Sequence, residues 1–209
     1  MSDRHRSPAR EVVRFLASVL MVTGALLIVD AALTVAWQEP ISSFFANREQ
    51  GRLGDALASP PRRVIERKPL RGDAIGKITL PTQDRSYFLI EGTDTADLRK
   101  GPGHYRDTPL PGERGTVAIA GHRTTYLAPF RKIDKLKRGD RVIVDMTYGR
   151  FTYRVEGTRI VKPTQVSVKR RVGHDRLVLT SCHPPYSAAQ RIVVFARFAG
   201  RGPPRLKRR

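Results

Sequence analysis

Residues 177–198 read LVLTSCHPPYSAAQRIVVFARF. Two apolar runs rich in Val, Leu, Ile and Phe, 177–180 and 192–198, flank a connection broken by Pro184 and Pro185, the pattern of two strands around a turn. If the second run returns along the first, Arg191 comes to lie beside Cys182 across neighbouring strands. Cys182 is the chain's single cysteine, which excludes an intrachain disulfide framework and a Cys-based zinc cluster. A strand end suits a nucleophile, because the sheet fixes the backbone while the side chain meets solvent. Two readings of Cys182 stand at this point: a reactive thiol, or a small buried apolar side chain.

Outward from this hairpin the pattern stays mainly β. Short alternating or apolar runs recur at 75–80, 87–90, 117–120, 142–146, 151–155 and 158–161, separated by Gly, Pro and Asp. With 177–180 and 192–198 they make eight strands, predicting a barrel or a sandwich. Two short helices interrupt them. One is 95–100, capped by Thr93 or Thr95 and stopped by Gly101. The other is 129–137, with Phe130, Ile133 and Leu136 on one stripe and Gly139 at its end.

Residues 73–200 therefore form the predicted catalytic or binding domain, and the rest of the chain is appended to it. Residues 15–37 read FLASVLMVTGALLIVDAALTVAW, with Asp30 the one charge. As a helix they span about 34 Å, enough for a hydrocarbon core of about 30 Å. Arg4, Arg6, Arg10 and Arg14 in the basic segment 1–14 keep the N-terminus cytoplasmic by the positive-inside rule. The competing reading is a cleaved signal peptide; under either, the chain beyond Trp37 is extracytoplasmic. Residues 38–72 are polar and Pro-punctuated and read as a linker, with a short helical run around 42–57. The tail 201–209, RGPPRLKRR, reads as basic and disordered.

Charge first suggests a nucleic-acid partner: 39 Lys+Arg against 19 Asp+Glu give +20. It is dispersed, however, and no zinc finger, basic-region heptad or aromatic-studded RNA-binding strand accompanies it, so no specific nucleic-acid partner is expected. A thiol nucleophile needs a histidine or cation beside it. Of the five histidines, His5 falls on the cytoplasmic side, His174 in a basic loop and His104 in the turn GPGHY. His183 adjoins Cys182 and points to the opposite face if the strand continues. His122 comes after the run 117–120 in TVAIAGHRTTY and, like Cys182, is mounted at a strand end. It is the best partner by elimination. Arg191 is the candidate for stabilising negative charge on a substrate carbonyl, against the plain alternative of one more surface arginine.

The anchor, the β-domain, GTVAIAGHRTT, then LVLTSC and a nearby Arg together resemble the sortase family of transpeptidases, and GHRTTYLAPF and GPGHY look like its class E branch. The family signature TLxTC aligns with Val178-Leu179-Thr180-Ser181-Cys182, matching by type at Leu179 and Cys182. The resemblance implies a closed eight-stranded β-barrel over about residues 73–199 and the catalytic trio Cys182, His122 and Arg191. It further implies that Tyr126, Ser181 and Thr180 bind substrate; for Tyr126 the alternative is packing on Phe130. Implied partners are surface proteins bearing an LAxTG- or LPxTG-like C-terminal sorting signal, an amine acceptor (a cell-wall precursor or a pilin lysine) and membrane lipid, at a cell membrane crossed once. No cofactor is implied. Some relatives hold calcium near the sixth and seventh strands; here 162–176 is basic with Asp175 its sole carboxylate, so no metal is expected. Two other readings remain: a Cys-dependent peptidoglycan L,D-transpeptidase, whose SHGC-like segment LTSCHPP lacks, and a non-enzymatic basic wall-binding protein.

Overall fold

The computed structural model describes residues 8–37 and 40–206, and the chain divides into two units, Met1–Pro40 and Ile41–Arg209. The first contains helix α1 (Pro8–Trp37). Within it Ala9–Leu33 is long and apolar enough to cross a membrane, with a mean hydropathy of 2.4 and no burial. Proline at its first position costs the helix no hydrogen bond. The basic segment 1–14 is thus helical from Pro8 on. Residues 1–7, with Arg4, His5 and Arg6, lie outside the described residues.

The second unit is a closed barrel of eight strands in the order β1-β2-β3-β4-β7-β8-β6-β5. The strands are β1 (Ala74–Leu80), β2 (Arg85–Glu91), β3 (Gly103–His104), β4 (Thr116–Ala120), β5 (Arg141–Met146), β6 (Gly149–Val161), β7 (Arg176–His183) and β8 (Gln190–Gly202). The β2–β3 and β4–β7 ladders are parallel and the others antiparallel. Alternate residues point inward, so Val117 and Ile119 of β4, Leu177 and Leu179 of β7 and Ile192, Val194 and Ala196 of β8 fill the core with Phe130, Phe151 and Tyr153. The residues between them, Ala118, Val178 and Val193, form a separate outer cluster with Val161, flanked by Tyr105, Val168 and Phe195.

The predicted count of eight holds, but its membership differs. The runs 151–155 and 158–161 are one strand, β6. A bulge between Val155 and Gly157 shifts the alternation by one residue, so one strand reads as two. The eighth place is taken by β3, whose two residues are too few to show a period; Gly103 and His104 of GPGHY are strand where a turn is predicted. The helix predicted at 129–137 is only a 3₁₀ turn, Ile133–Lys135. Its stripe survives, because a spacing of three is the 3₁₀ repeat, and Phe130, Ile133 and Leu136 are all buried. The other short helix is α4 (Thr95–Leu98), with Asp94 rather than a threonine at its N-cap.

The helical run expected around 42–57 in the linker is present and slightly longer. Helix α2 (Pro40–Ala58) and the short α3 (Arg62–Ile65) occupy most of residues 41–72. Leu53 and Leu57 of α2 pack with Ala74 and Ile90 of the barrel. Gln50 also substitutes for a missing strand, because β3 is too short to cover the edge of β2 at Phe88. Its Nε2 donates to Phe88 O (3.1 Å) and Lys100 O (2.9 Å), and its Oε1 accepts from Phe88 N (2.7 Å). The open edge is thereby satisfied by an amide side chain. At the far end β8 runs to Gly202, Arg201 lies 5.0 Å over the Phe151 ring, and Leu206 packs on the α2 cluster. The tail is therefore ordered through 206 by these contacts, and 207–209 lie outside the described residues.

Candidate active site

Three strands bring the candidate residues together. Cys182 sits one residue before the end of β7, sharing the outer face with Val178 and Thr180, and its Cα partner on β8 is Arg191. The thiol is free and half-buried. The hairpin read from 177–198 therefore has the predicted register. Arg191 is held at the turn: its Nη1 donates to Ala188 O and Gln190 O, each at 2.9 Å.

His122 arrives from the parallel neighbour. The β4–β7 ladder pairs Ala120 with Thr180, and Gly121 N donates to Thr180 O at 3.1 Å. Two residues beyond each partner stand His122 and Cys182. Gly121 is required here, since a Cβ would come within 2.7 Å of the Phe130 ring. The chain then folds tightly back on itself. Tyr126, Leu127 and Ala128 take left-handed φ values of 48°, 66° and 42°, strained for non-glycine residues. Ala128 N donates to Thr125 O (2.8 Å) and Phe130 N to His122 O (3.1 Å), closing the loop. Buried Phe130 anchors it in the core. Within the loop the Tyr126 ring lies 5.1 Å from the His122 ring, and the Arg99 guanidinium is 5.8 Å from the centre of the Tyr126 ring.

Arg123 was not among the residues the sequence singled out, yet it links the two strand ends. It is only 3% exposed. Its Nη1 donates to Cys182 O (3.4 Å), its Nε to Arg131 O (3.0 Å), and its Nη2 pairs with Asp134 (2.9 Å). A buried guanidinium of this kind needs partners on several sides, and here they are the backbone of β7 and the turn after the His122 loop. The one signal in the sequence was its place directly after the candidate histidine, which a surface arginine shares.

Ser181 and Thr180 both make hydrogen bonds within the barrel. The Ser181 hydroxyl is buried and donates to Gly121 O at 2.7 Å, and the Thr180 hydroxyl bonds the Tyr105 hydroxyl at 3.1 Å. Strand parity turns Ser181 inward with Leu177 and Leu179. Both side chains brace the frame that carries His122 and Cys182. The other histidines have different posts. His104 is enclosed in the barrel against Glu91, His174 stands 3.4 Å from Glu156, and His183 ends β7 beside Pro184. Among the described residues no group of three or more His, Cys, Asp or Glu side chains gathers to hold a metal ion.

The arrangement offers a solvent-reachable thiol, an imidazole on the adjoining strand and a guanidinium across the ladder. These are the parts needed to attack a carbonyl, move a proton and stabilise an oxyanion. The sheet face leading away from them is lined by small and apolar side chains, Ala118, Val178 and Val193.

Comparison with known proteins agrees with this geometry. A sortase-domain family model matches residues 78–199. Sortase D of Bacillus subtilis is 38% identical over 56% of the chain, and Sortase SrtE1 of Streptomyces coelicolor is 28% identical over 96% of it. The chain spans 58% and 61% of the lengths of these two relatives. Among solved structures, the SrtA sortase from Actinomyces oris superposes with a TM-score of 0.61 at 33% identity, covering 65% of this chain and 84% of that one. Sortase E1 from S. coelicolor, solved with a tripeptide in its active site, gives a TM-score of 0.60 at 28% identity, covering 63% and 91%. With the family model matched over more than half its length and a closed barrel presenting these strand ends, the chain belongs to the sortase family of transpeptidases.

Proposed function

We propose that this protein is a membrane-anchored cysteine transpeptidase that cleaves an LAxTG- or LPxTG-like sorting signal between Thr and Gly and passes the acyl part to an amine. The observation that carries the proposal is the cross-strand pair Cys182–Arg191 with the His122 loop tied to it through Arg123. The tripeptide held by the S. coelicolor relative supports a peptide as the occupant of this face.

The Cys182 thiolate adds to the Thr carbonyl carbon, and the oxygen takes the negative charge, accepting a hydrogen bond from the Arg191 guanidinium. As the tetrahedral species collapses the C–N bond breaks, and the His122 imidazolium gives its proton to the departing Gly amine. A thioester to Cys182 remains. An incoming amine, from a cell-wall precursor or a pilin lysine, loses a proton to His122 as it attacks, and expulsion of the thiolate restores the enzyme. Tyr126, against the His122 ring, meets the second residue of the motif. Helix α1 anchors the chain, with its arginine-flanked N-terminus in the cytoplasm and the barrel outside. Membership of the sortase family supersedes the L,D-transpeptidase and non-enzymatic readings.

The full chain in detergent, mixed with LAxTG and LPxTG peptides, is expected to show by mass spectrometry a thioacyl adduct on Cys182 that disappears on adding Gly-Gly, with formation of the joined peptide. An unmodified Cys182 with both peptides, or equal turnover by Cys182→Ala, overturns the proposal. Equal adduct lifetime with and without amine assigns hydrolysis instead of transfer.

A further inference from the structure

Beyond the hydrophobic part of the outer sheet face lies a cleft of about 490 Å³ under the connection between β6 and β7, lined by Glu156, Arg159, Gln165, Ser167, Arg176 and Phe195 among others. Phe195 forms its floor in the register. Going back along β7 from Cys182, the outward residues Thr180 and Val178 face Val193 and Phe195. On β6, Arg159 pairs with Val193 and Gly157 with Phe195.

The direction and length of this track are fixed by the strands. β7 ends at His183, with two prolines directly after it, so the sheet face extends from Cys182 toward Phe195 only. An extended peptide acylated at Cys182 must lay its N-terminal part along that face. Phe195 stands four residues from Arg191 on β8, about 13 Å at ~3.3 Å per residue. A four-residue motif ending at the scissile carbonyl covers the same distance. The residues just before the motif therefore reach the Phe195 cleft.

The cleft is cationic. The Arg176 and Arg159 guanidinium groups lie 5.0 Å and 5.7 Å from the centre of the Phe195 ring. Arg176 is fixed by Nε to the Thr116 hydroxyl (3.2 Å) and Nη2 to Val168 O (2.9 Å) and Arg170 O (3.1 Å). Burial lowers its pKa from the ordinary arginine value, so its charge is incompletely solvated. Among the described residues neither arginine makes an ion pair. The carboxylate in the lining, Glu156, is already shared by Arg197 (2.7 Å) and His174 (3.4 Å), and the Arg197 hydrogen bond holds its pKa below the usual carboxylate range. We propose that this cleft is a specificity site for acidic side chains immediately N-terminal to the sorting motif. A carboxylate there meets two guanidinium groups, whereas a lysine meets like charge at the same spot.

This inference rests on the reading of Cys182 as the acylated residue, and the test separates the two. Three peptides sharing one sorting motif carry Asp-Asp, Ser-Ser or Lys-Lys directly before it, and acylation of the full chain is measured in low and high salt. The expected order of kcat/KM is Asp-Asp, Ser-Ser, Lys-Lys, with about three- to fivefold per step, carried by KM and compressed at high salt. Arg159 is exposed and its reversal leaves the core intact. Arg159→Glu, which leaves the Arg176 guanidinium beside one new carboxylate, is expected to collapse the order toward equal rates. Arg48→Glu, the same charge change on α2, is expected to leave the order as it was. Equal rates for the three peptides with the wild-type chain, an order unmoved by Arg159→Glu, or one moved equally by Arg48→Glu overturn the cleft as a specificity site while the acylation reading stands. Absence of any adduct on Cys182 removes both.

Discussion

Gly103-His104 and Gly121-His122 are the same dipeptide on neighbouring strands of one barrel, and the fold puts them to opposite uses. His104 pairs in register with Ile119, a core residue, and so points inward, where it is 1% exposed. Its Nδ1 lies 2.9 Å from Glu91 Oε2 and its Nε2 3.0 Å from Pro109 O, with the Thr108 hydroxyl at 3.1 Å. The carbonyl of Pro109 can only accept, so the Nε2–H donates to it. Both ring nitrogens are committed to fixed partners in the barrel interior. His122 stands beyond the end of β4, half-buried against Tyr126, at the level of a half-buried thiol. The same residue types are thus a structural pair in one place and a candidate proton carrier in the other. Strand parity and the depth of burial of the residue make the difference, not the motif.

The largest effect is expected at the outward site. Cys182→Ala is expected to abolish acylation, and His122→Ala to lower kcat/KM by about 10²–10⁴ while its denaturation midpoint stays near that of the wild type. A His122→Ala protein of wild-type activity would erase the contrast. The inward site is expected to behave in reverse. His104→Ala leaves the Glu91 carboxylate buried without its partner and is expected to cost about 3–5 kcal/mol in denaturant titrations, with kcat kept at temperatures where the barrel is folded. A kcat loss larger than the unfolded fraction would place His104 in the chemistry after all.

A smaller effect tests the frame between the two. Ser181→Ala strands the Gly121 carbonyl that its hydroxyl satisfies, at about 1–3 kcal/mol. Because Gly121 carries His122, kcat is expected to fall with KM nearly unchanged; a pure KM effect would return Ser181 to substrate contact. The smallest effect lies on the scaffold. The Arg63 guanidinium, and then the Leu70 amide, hold the Asp73 carboxyl below the usual carboxylate range. Since the folded value is the depressed one, its contribution is present above the ordinary value of about 3.9 and is lost as pH falls through the folded value. The stability gap between wild type and Asp73→Asn is thus expected to be constant at neutral pH and to close in acid. A gap that instead changes between pH 6 and 8 would mean that a group other than the Asp73 carboxyl carries the effect.

Much of this was legible in the chain itself. The apolar runs 177–180 and 192–198 are long and regular enough to define both strands, and the hairpin between them set Cys182 opposite Arg191 correctly. The run 117–120 marked the His122 strand end in the same way, whereas the pattern allowed a barrel or a sandwich and the family resemblance implied the barrel. What escaped had no period to read. β3 has two residues, and its ladder depends on neighbours far along the chain. The helical run at 42–57 was legible but its packing was not: α2 buries a thin face of Ala46, Leu53 and Leu57 while Phe44 and Phe45 stay exposed, so its apolar residues do not fall on one stripe. Its attachment through Gln50 answers a defect in another element, the uncovered edge at Phe88. Arg123 is invisible for a related reason: its burial arises from the meeting of β7, the loop and the turn at Asp134. The inward facing of Ser181 is hidden for a different reason: a motif position says nothing about which side of a strand it faces.

The parallel β4–β7 ladder has a consequence for how the protein comes into being. It joins residues sixty apart in the chain, as the Ser181–Gly121 bond illustrates, and β5 and β6 must be made and moved aside before β7 can dock. Such distant pairings are slow to form and carry a high loop-closure cost. Until they form, Cys182 is an ordinary thiol on an unfinished chain, with neither His122 nor the Arg123 bridge at hand. The proposed reactivity is therefore a late product of folding, and a half-made barrel has no means of acylating itself on passing peptides.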